Sequence, residues 1–170
     1  MIFLLCQIGN DRYALEIRHV VEVLPRVHLK QIPQAARGIA GVFNYHGEPV
    51  PVVDLAAMAL DLPARASLCT RLLVVQYPVA EGRTGLLGLL AEHATDTLRR
   101  EPSDFQPPEV SPPQAPYLGP VTSDERGLIQ WLKLEQILPP SVRDQLWQQA
   151  ATAQEQPTTS IAGKVEGLKR

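Results

Sequence analysis

Hydrophobic positions along this chain fall in short runs, some alternating and some continuous, separated by turn residues. IFLLCQI (2–8) is an apolar run, Gly9-Asn10-Asp11 is turn chemistry, and RYALEI (12–17) alternates. Tyr13, Leu15 and Ile17 fall on one face of that second run, with Arg12, Ala14 and Glu16 on the other. This is the period of a half-buried strand. Gly, Asn and Asp tolerate positive φ, so the two runs predict a hairpin. Between 17 and 24 the period changes. Ile17, Val20, Val21 and Leu24 sit at i, i+3, i+4 and i+7, which predicts one or two helical turns. Pro25 stops them, because the residue before a proline is pushed out of the α region.

VHLKQIP (27–33) reads as extended and AARGIAGV (35–42) as a small, glycine-containing approach to the next hairpin. That hairpin is GVFNYHGEPVPVVDL (41–55), two strand runs around a turn carrying His46, Gly47 and Glu48. Pro49 and Pro51 have no N–H to donate, so they mark an edge strand or a bulge. They also stiffen the turn that Val42, Phe43 and Tyr45 flank, which suits presentation to a partner, with an ordinary core hairpin as the alternative. DLAAMAL (54–60) predicts a short helix with Asp54 at its start. After a looser stretch, 61–70, RLLVVQY (71–77) and TGLLGLLAE (84–92) are continuous apolar runs joined by PVAEGR. Such runs predict strands buried on both faces. HATDTLRRE (93–101) predicts a strand leading away to the surface. Six prolines in 102–116 exclude regular structure there and predict an extended surface connection. LIQWLKL (128–134) is a last strand, followed by a short helix at LEQIL and a helix beginning at Ser141 over 140–156. The polar tail 157–170 predicts disorder. Many short strands with few helices predict a mainly β architecture of barrel or sandwich type.

The 170 residues suffice for one ordinary domain. Aromatics are only 5% of the chain, so the core is expected to be aliphatic. A net charge of -2 with no clustered basic face argues against nucleic acid as a partner. Cys6 and Cys69 form no CxxC pair and are expected to be buried free thiols of a reducing cytoplasm. MIFLLC has neither the basic start nor the apolar length of a signal segment, and no run approaches a membrane span. The chain is therefore expected to be cytoplasmic, with no insertion into the membrane.

Candidate chemistry is sparse. His19, His28, His46 and His93 show no HxH or HExxH spacing, so no metal and no cofactor are expected. Gly82, Gly85 and Gly88 do not make the phosphate-binding GxGxxG; small residues in a crowded strand explain them. His46 and Glu48 could form an acid/base couple, which keeps a small hydrolase or metal-dependent enzyme as an alternative. No nucleophile lies near them in sequence, and a turn or contact role is favoured.

Read in order, these segments resemble the CheW-like family, the coupling proteins of bacterial chemosensory arrays. The resemblance rests on FLLCQIGNDRYALEI and on Val20, Val21, Glu22 and Val23. It continues in Pro33 and the block Gly41, Val42, Asn44, His46, Gly47, Pro51, Val52, Asp54 and Leu55. Arg71 to Val75, Tyr117-Leu118-Gly119 and Trp131 to Leu138 complete it. It implies two SH3-like, five-stranded β-barrel subdomains over 1–140, intertwined around an aliphatic core, with short helices, a C-terminal helix at 141–156 and the tail beyond. It implies a non-catalytic adaptor that bridges the cytoplasmic tip of a methyl-accepting chemoreceptor to the regulatory domain of a CheA-type histidine kinase. By the same resemblance, Val20, Glu22, Val42, Asn44, His46 and Gly47 are the receptor-binding residues, set in a groove between the subdomains. A CheW-like fold with another protein-binding role is the nearest alternative. The chain departs from the pattern at His46, where the family carries arginine, at Ala91-Glu92 and at Leu132-Lys133. Arginine is always charged and offers a planar donor fork; histidine offers neither near neutral pH. These departures mark a divergent member, one serving a dedicated receptor rather than a general swimming array.

Overall fold

The structure is a computed structural model that describes residues 1–80 and 82–155. The tail expected at 157–170 lies outside the described residues. The strands are β1 (Ile2–Ile8), β2 (Asp11–Glu16), β3 (Val20–Pro25), β4 (Ile39–Tyr45), β5 (Glu48–Asp54), β6 (Arg71–Ala80), β7 (Arg83–Arg99), β8 (Leu118–Asp124) and β9 (Gly127–Leu132). Helix α1 spans Leu55–Leu60 and α2 spans Pro140–Glu155, with single 3-10 turns at Ile17–His19, Pro102–Asp104 and Leu134–Gln136.

Strand β7 belongs to both barrels. Its N-terminal half pairs antiparallel with β6, from Ala80↔Arg83 to Arg71↔Ala91, and parallel with β5 at Val52↔Gly88 to Asp54↔Leu90. Its C-terminal half pairs with β1, from Gln7↔Glu92 to Ile2↔Arg99, the ladder broken between Glu92 and Asp96 by a bulge in which His93 takes a positive φ. The first barrel is thus β8-β9-β2-β1-β7 and the second is β4-β5-β7-β6-β3, five strands each with β7 counted in both. The expected two SH3-like barrels are the fold. The stretch 93–99 is strand with mostly exposed residues, as expected, but it does not leave the sheet. It enters the first barrel, because the bulge turns one continuous strand from one sheet into the next.

A large aliphatic core lies between the barrels, joining Leu4 and Leu15 of the first to Leu73, Val75 and Leu89 of the second. Each barrel also has its own interior cluster. In the second it is Val52, Leu72 and Leu90. In the first it is aromatic: Phe3 meets Trp131 edge-on at 5.0 Å between ring centroids and Phe105 at 5.3 Å. The aliphatic expectation therefore holds for the shared core but not for the first barrel. β2 is more than half-buried, with Ala14 in the first barrel's interior and Leu15 in the shared core, while Ile17, expected beside Leu15, is exposed. Helix α2 packs against β4, β5 and β6. Leu146 is fully buried, the Trp147 ring stacks on Tyr77, and its indole N–H donates to the Leu86 carbonyl at 2.9 Å.

The helical turns expected over 17–24 are confined to the 3-10 turn Ile17–His19. From Val20 the chain is strand, because β6 offers it a ladder from Val20↔Val75 to Pro25↔Arg71. Cross-strand bonding over a whole strand overrides a short helical period. Gly85 and Gly88 meet the expected crowding: an added Cβ would lie 2.7 Å from Val79 and 2.8 Å from Val52, respectively. Of the cysteines, Cys6 is buried and burial pushes its thiol up to about 12, whereas Cys69 is only half-buried, on the 61–70 loop.

Candidate functional site

The β4–β5 hairpin turns on His46 and Gly47, with Tyr45 paired to Glu48 across it. Both turn residues have positive φ, 51° and 87°. A two-residue turn of this kind matches the right-handed twist of its strands. Asn44 locks it, its Oδ1 accepting the Gly47 N–H at 2.8 Å. Pro49 and Pro51 sit opposite Asn44 and Val42, on the part of β5 that precedes its ladder with β7. No strand needs an N–H from them there, so the edge reading of the prolines holds.

The barrel-closing strands β3 and β4 do not pair with each other. A side-chain bond bridges them instead: the Tyr45 hydroxyl donates to the Glu22 carboxylate. That bond raises the phenol's pKa above its ordinary value, since losing the proton would set two negative charges together. The Tyr45 ring meets the His46 ring edge-on at 4.4 Å and the Phe43 ring at 6.1 Å. Tyr45 therefore ties β3 to the turn and supports His46 at once. Sequence reading placed Tyr45 only as a flank of the turn; the signal for more was the β4 alternation that sets Phe43 and Tyr45 on one face.

The structure brings Glu22, Asn44, His46 and Gly47 to one exposed end of the second barrel. Val20 is half-buried against the shared core. Val42 is different. It is 1% exposed, and its backbone exchanges bonds of 2.9 and 2.8 Å with Lys30. Its side chain has no surface to offer, so it supports the hairpin from inside rather than contacting a partner. Gly41 precedes it at φ 146°, where an added Cβ would lie 2.4 Å from the Lys30 carbonyl oxygen. The glycine is required for that close approach.

The cleft between the barrels, of about 510 Å³, is lined by Ile39, Val53, Met58, Tyr117, Ile137 and Val142 among others. None of the six predicted residues lines it, so the hairpin surface and the groove are separate features of the molecule. His46 and Glu48 are both exposed. Among the described residues no three of His, Cys, Asp and Glu gather as metal ligands, and no helix is long and apolar enough to cross a membrane.

Comparison with known proteins places the chain. The CheW-like domain family matches residues 3–141. The chemotaxis protein CheW of Helicobacter pylori is 24% identical over 132 residues, 77% of each chain. CheW of Rhizobium meliloti is 24% identical over 140 residues, 81% of this chain and 87% of its own. The crystal structure of the scaffolding protein TtCheW from Thermoanaerobacter tengcongensis superposes with a TM-score of 0.71 at 21% identity, covering 85% of this chain and 92% of that one. The chain belongs to the CheW-like family, whose members are non-catalytic scaffolds that couple chemoreceptors to the CheA kinase in chemosensory arrays. The enzymatic reading of His46 and Glu48 gives way to that of an adaptor.

Proposed function

We propose that the β3 edge and the β4–β5 turn form the receptor contact of this adaptor, with Glu22, Asn44, His46 and Gly47 facing the receptor's cytoplasmic tip, and Val20 and Val42 backing them. The observation that carries this reading is the tied turn: His46 is exposed, yet held by the Asn44–Gly47 bond and by Tyr45, itself anchored on Glu22. Groups ordered before the partner arrives lose little freedom on binding. A second surface engages the regulatory domain of a CheA-type kinase, and the chain works in the cytoplasm, recruited to membrane-associated arrays. With histidine where the family carries arginine, the turn lacks a fixed positive charge, which suits a dedicated receptor.

Calorimetric titration with a chemoreceptor signalling fragment and a CheA-type regulatory domain from the same genome tests the bridge. The expected result is saturable binding of both. His46→Ala should weaken receptor binding with an unchanged melting temperature, and His46→Arg should shift preference towards receptors of ordinary family members. Binding of neither partner by the folded protein would reject the bridge; an unaltered affinity in His46→Ala would remove His46 from the contact.

A further inference from the structure

We propose that the end of the second barrel opposite the His46 turn is a further docking surface, and that its occupant is an acidic, leucine-bearing segment of a partner protein. This rests on geometry independent of the hairpin. The ladder aligns Pro25, Arg71 and Ala91 in one cross-strand row, so Arg26, Arg71 and Glu92 share one rim. Arg65 joins them: its N–H donates to a Glu92 carboxylate oxygen at 2.8 Å, and its guanidinium lies 3.9 Å from the other. Leu68 is there too, because its carbonyl accepts from the Arg71 guanidinium.

A cleft of about 460 Å³ opens at this rim between the 26–31 segment and Pro63. Val27, Leu29 and Ile39 line it, with Arg26 and His28 beside them. Leu62 and Leu68 stand on the neighbouring loop, 65% and 92% exposed. That loop is not slack. Asp54 accepts the Ala64 N–H at 2.9 Å and Glu92 accepts the next one, from Arg65, so two buried carboxylates hold consecutive amides. The Thr70 hydroxyl closes the loop on the Arg65 carbonyl. Pinning with buried charge fixes a loop whose leucines face water, which favours binding by removing the cost of ordering it.

The sign of the rim selects the partner. The carboxylates at this end are already engaged, Asp54 and Glu92 by loop amides and Asp61 by Arg37. Against these three carboxylates stand four arginines, the exposed Arg26, Arg37 on Asp61, Arg65 on Glu92 and the half-buried Arg71 on the Leu68 carbonyl, so the rim keeps a positive excess and an acidic segment is complementary. A leucine or similar anchor fills the cleft. A concave pocket suits an inserted side chain better than a lipid surface does.

The test uses the full chain and two short fluorescent peptides, one built of Glu and Leu, its twin of Lys and Leu. The Glu–Leu peptide should bind saturably and weaken with added salt, and the twin should not bind. Arg26→Glu with Arg65→Glu should weaken binding about tenfold or more, as reversed charges at a contact do; Leu68→Ser should weaken it less, and His46→Ala should leave it unchanged. Should the charge reversal unfold the chain, Arg26→Ala with Arg65→Ala must still weaken binding. Equal binding of both peptides, indifference to the arginine variants, or binding of phosphatidylglycerol vesicles with no binding of the peptide would overturn the proposal.

Discussion

Replacing Asp54 by alanine removes one carboxylate that serves three backbone donors. Asp54 ends β5 and caps α1: its Oδ1 accepts from Ala56 at 3.0 Å and Ala57 at 3.1 Å, and its Oδ2 accepts from Ala64 at 2.9 Å. Loss of an N-cap costs about 1 kcal/mol. The Ala64 N–H, left without its acceptor at a buried site, adds about 1–3 kcal/mol. The sum, roughly 2–4 kcal/mol, corresponds in a chain of this size to a fall in Tm of roughly 4–16 °C. Asp54→Asn keeps a carbonyl for one of the two tasks and should lose about half as much. Urea unfolding followed by the fluorescence of Trp131 and Trp147 measures both variants. A loss below about 0.5 kcal/mol for Asp54→Ala, within the range of ordinary surface substitutions, would refute the assignment. So would an Asn variant as stable as wild type, since one acceptor would then suffice.

The bidentate Arg12–Asp124 pair, at 2.7 and 2.6 Å, holds the Asp124 carboxyl well below the usual carboxylate range. A carboxyl depressed on folding stabilises above its unfolded pKa, about 3.9, and loses that contribution as pH falls through the folded value. Asp124→Asn should therefore be less stable than wild type at pH 7, with the two converging in strong acid, as denaturant midpoints across pH would show; a constant gap would contradict it. Thiol titration of the native protein at pH 8 should find Cys69 reactive and Cys6 silent, its thiol being buried and pushed up to about 12, with both reacting once the chain is unfolded. Leu146→Ala in α2 should cost about 2–5 kcal/mol, as a fully buried leucine does; a urea midpoint within error of wild type would mean that α2 is not part of the cooperative unit.

Much of this protein is local and can be read from its residues. The 41–55 hairpin is legible because alternation, a two-residue turn and prolines at an edge are all properties of neighbouring residues. The Asp54 cap is legible for the same reason, since its donors to α1 lie two and three residues on. The order of these segments was also enough to bring the CheW-like pattern into view, and with it the paired barrels. Tertiary structure decided the rest. Val20 to Pro25 became strand because β6 lay beside it, a partner some fifty residues away in sequence whose bonds no local period reports. One bulge at His93 made the 83–99 run a strand shared by both barrels. Val42, which flanks the turn in sequence, was taken inside when Lys30 closed over it. The docking features are the most tertiary of all. Glu22 and Tyr45 meet only because the barrel closes, and Arg26, Arg65 and Arg71 share a rim only through the register of β3, β6 and β7. Local propensity selects the elements; which side chains face one another follows from how distant strands come into register, and that information lies in their packing.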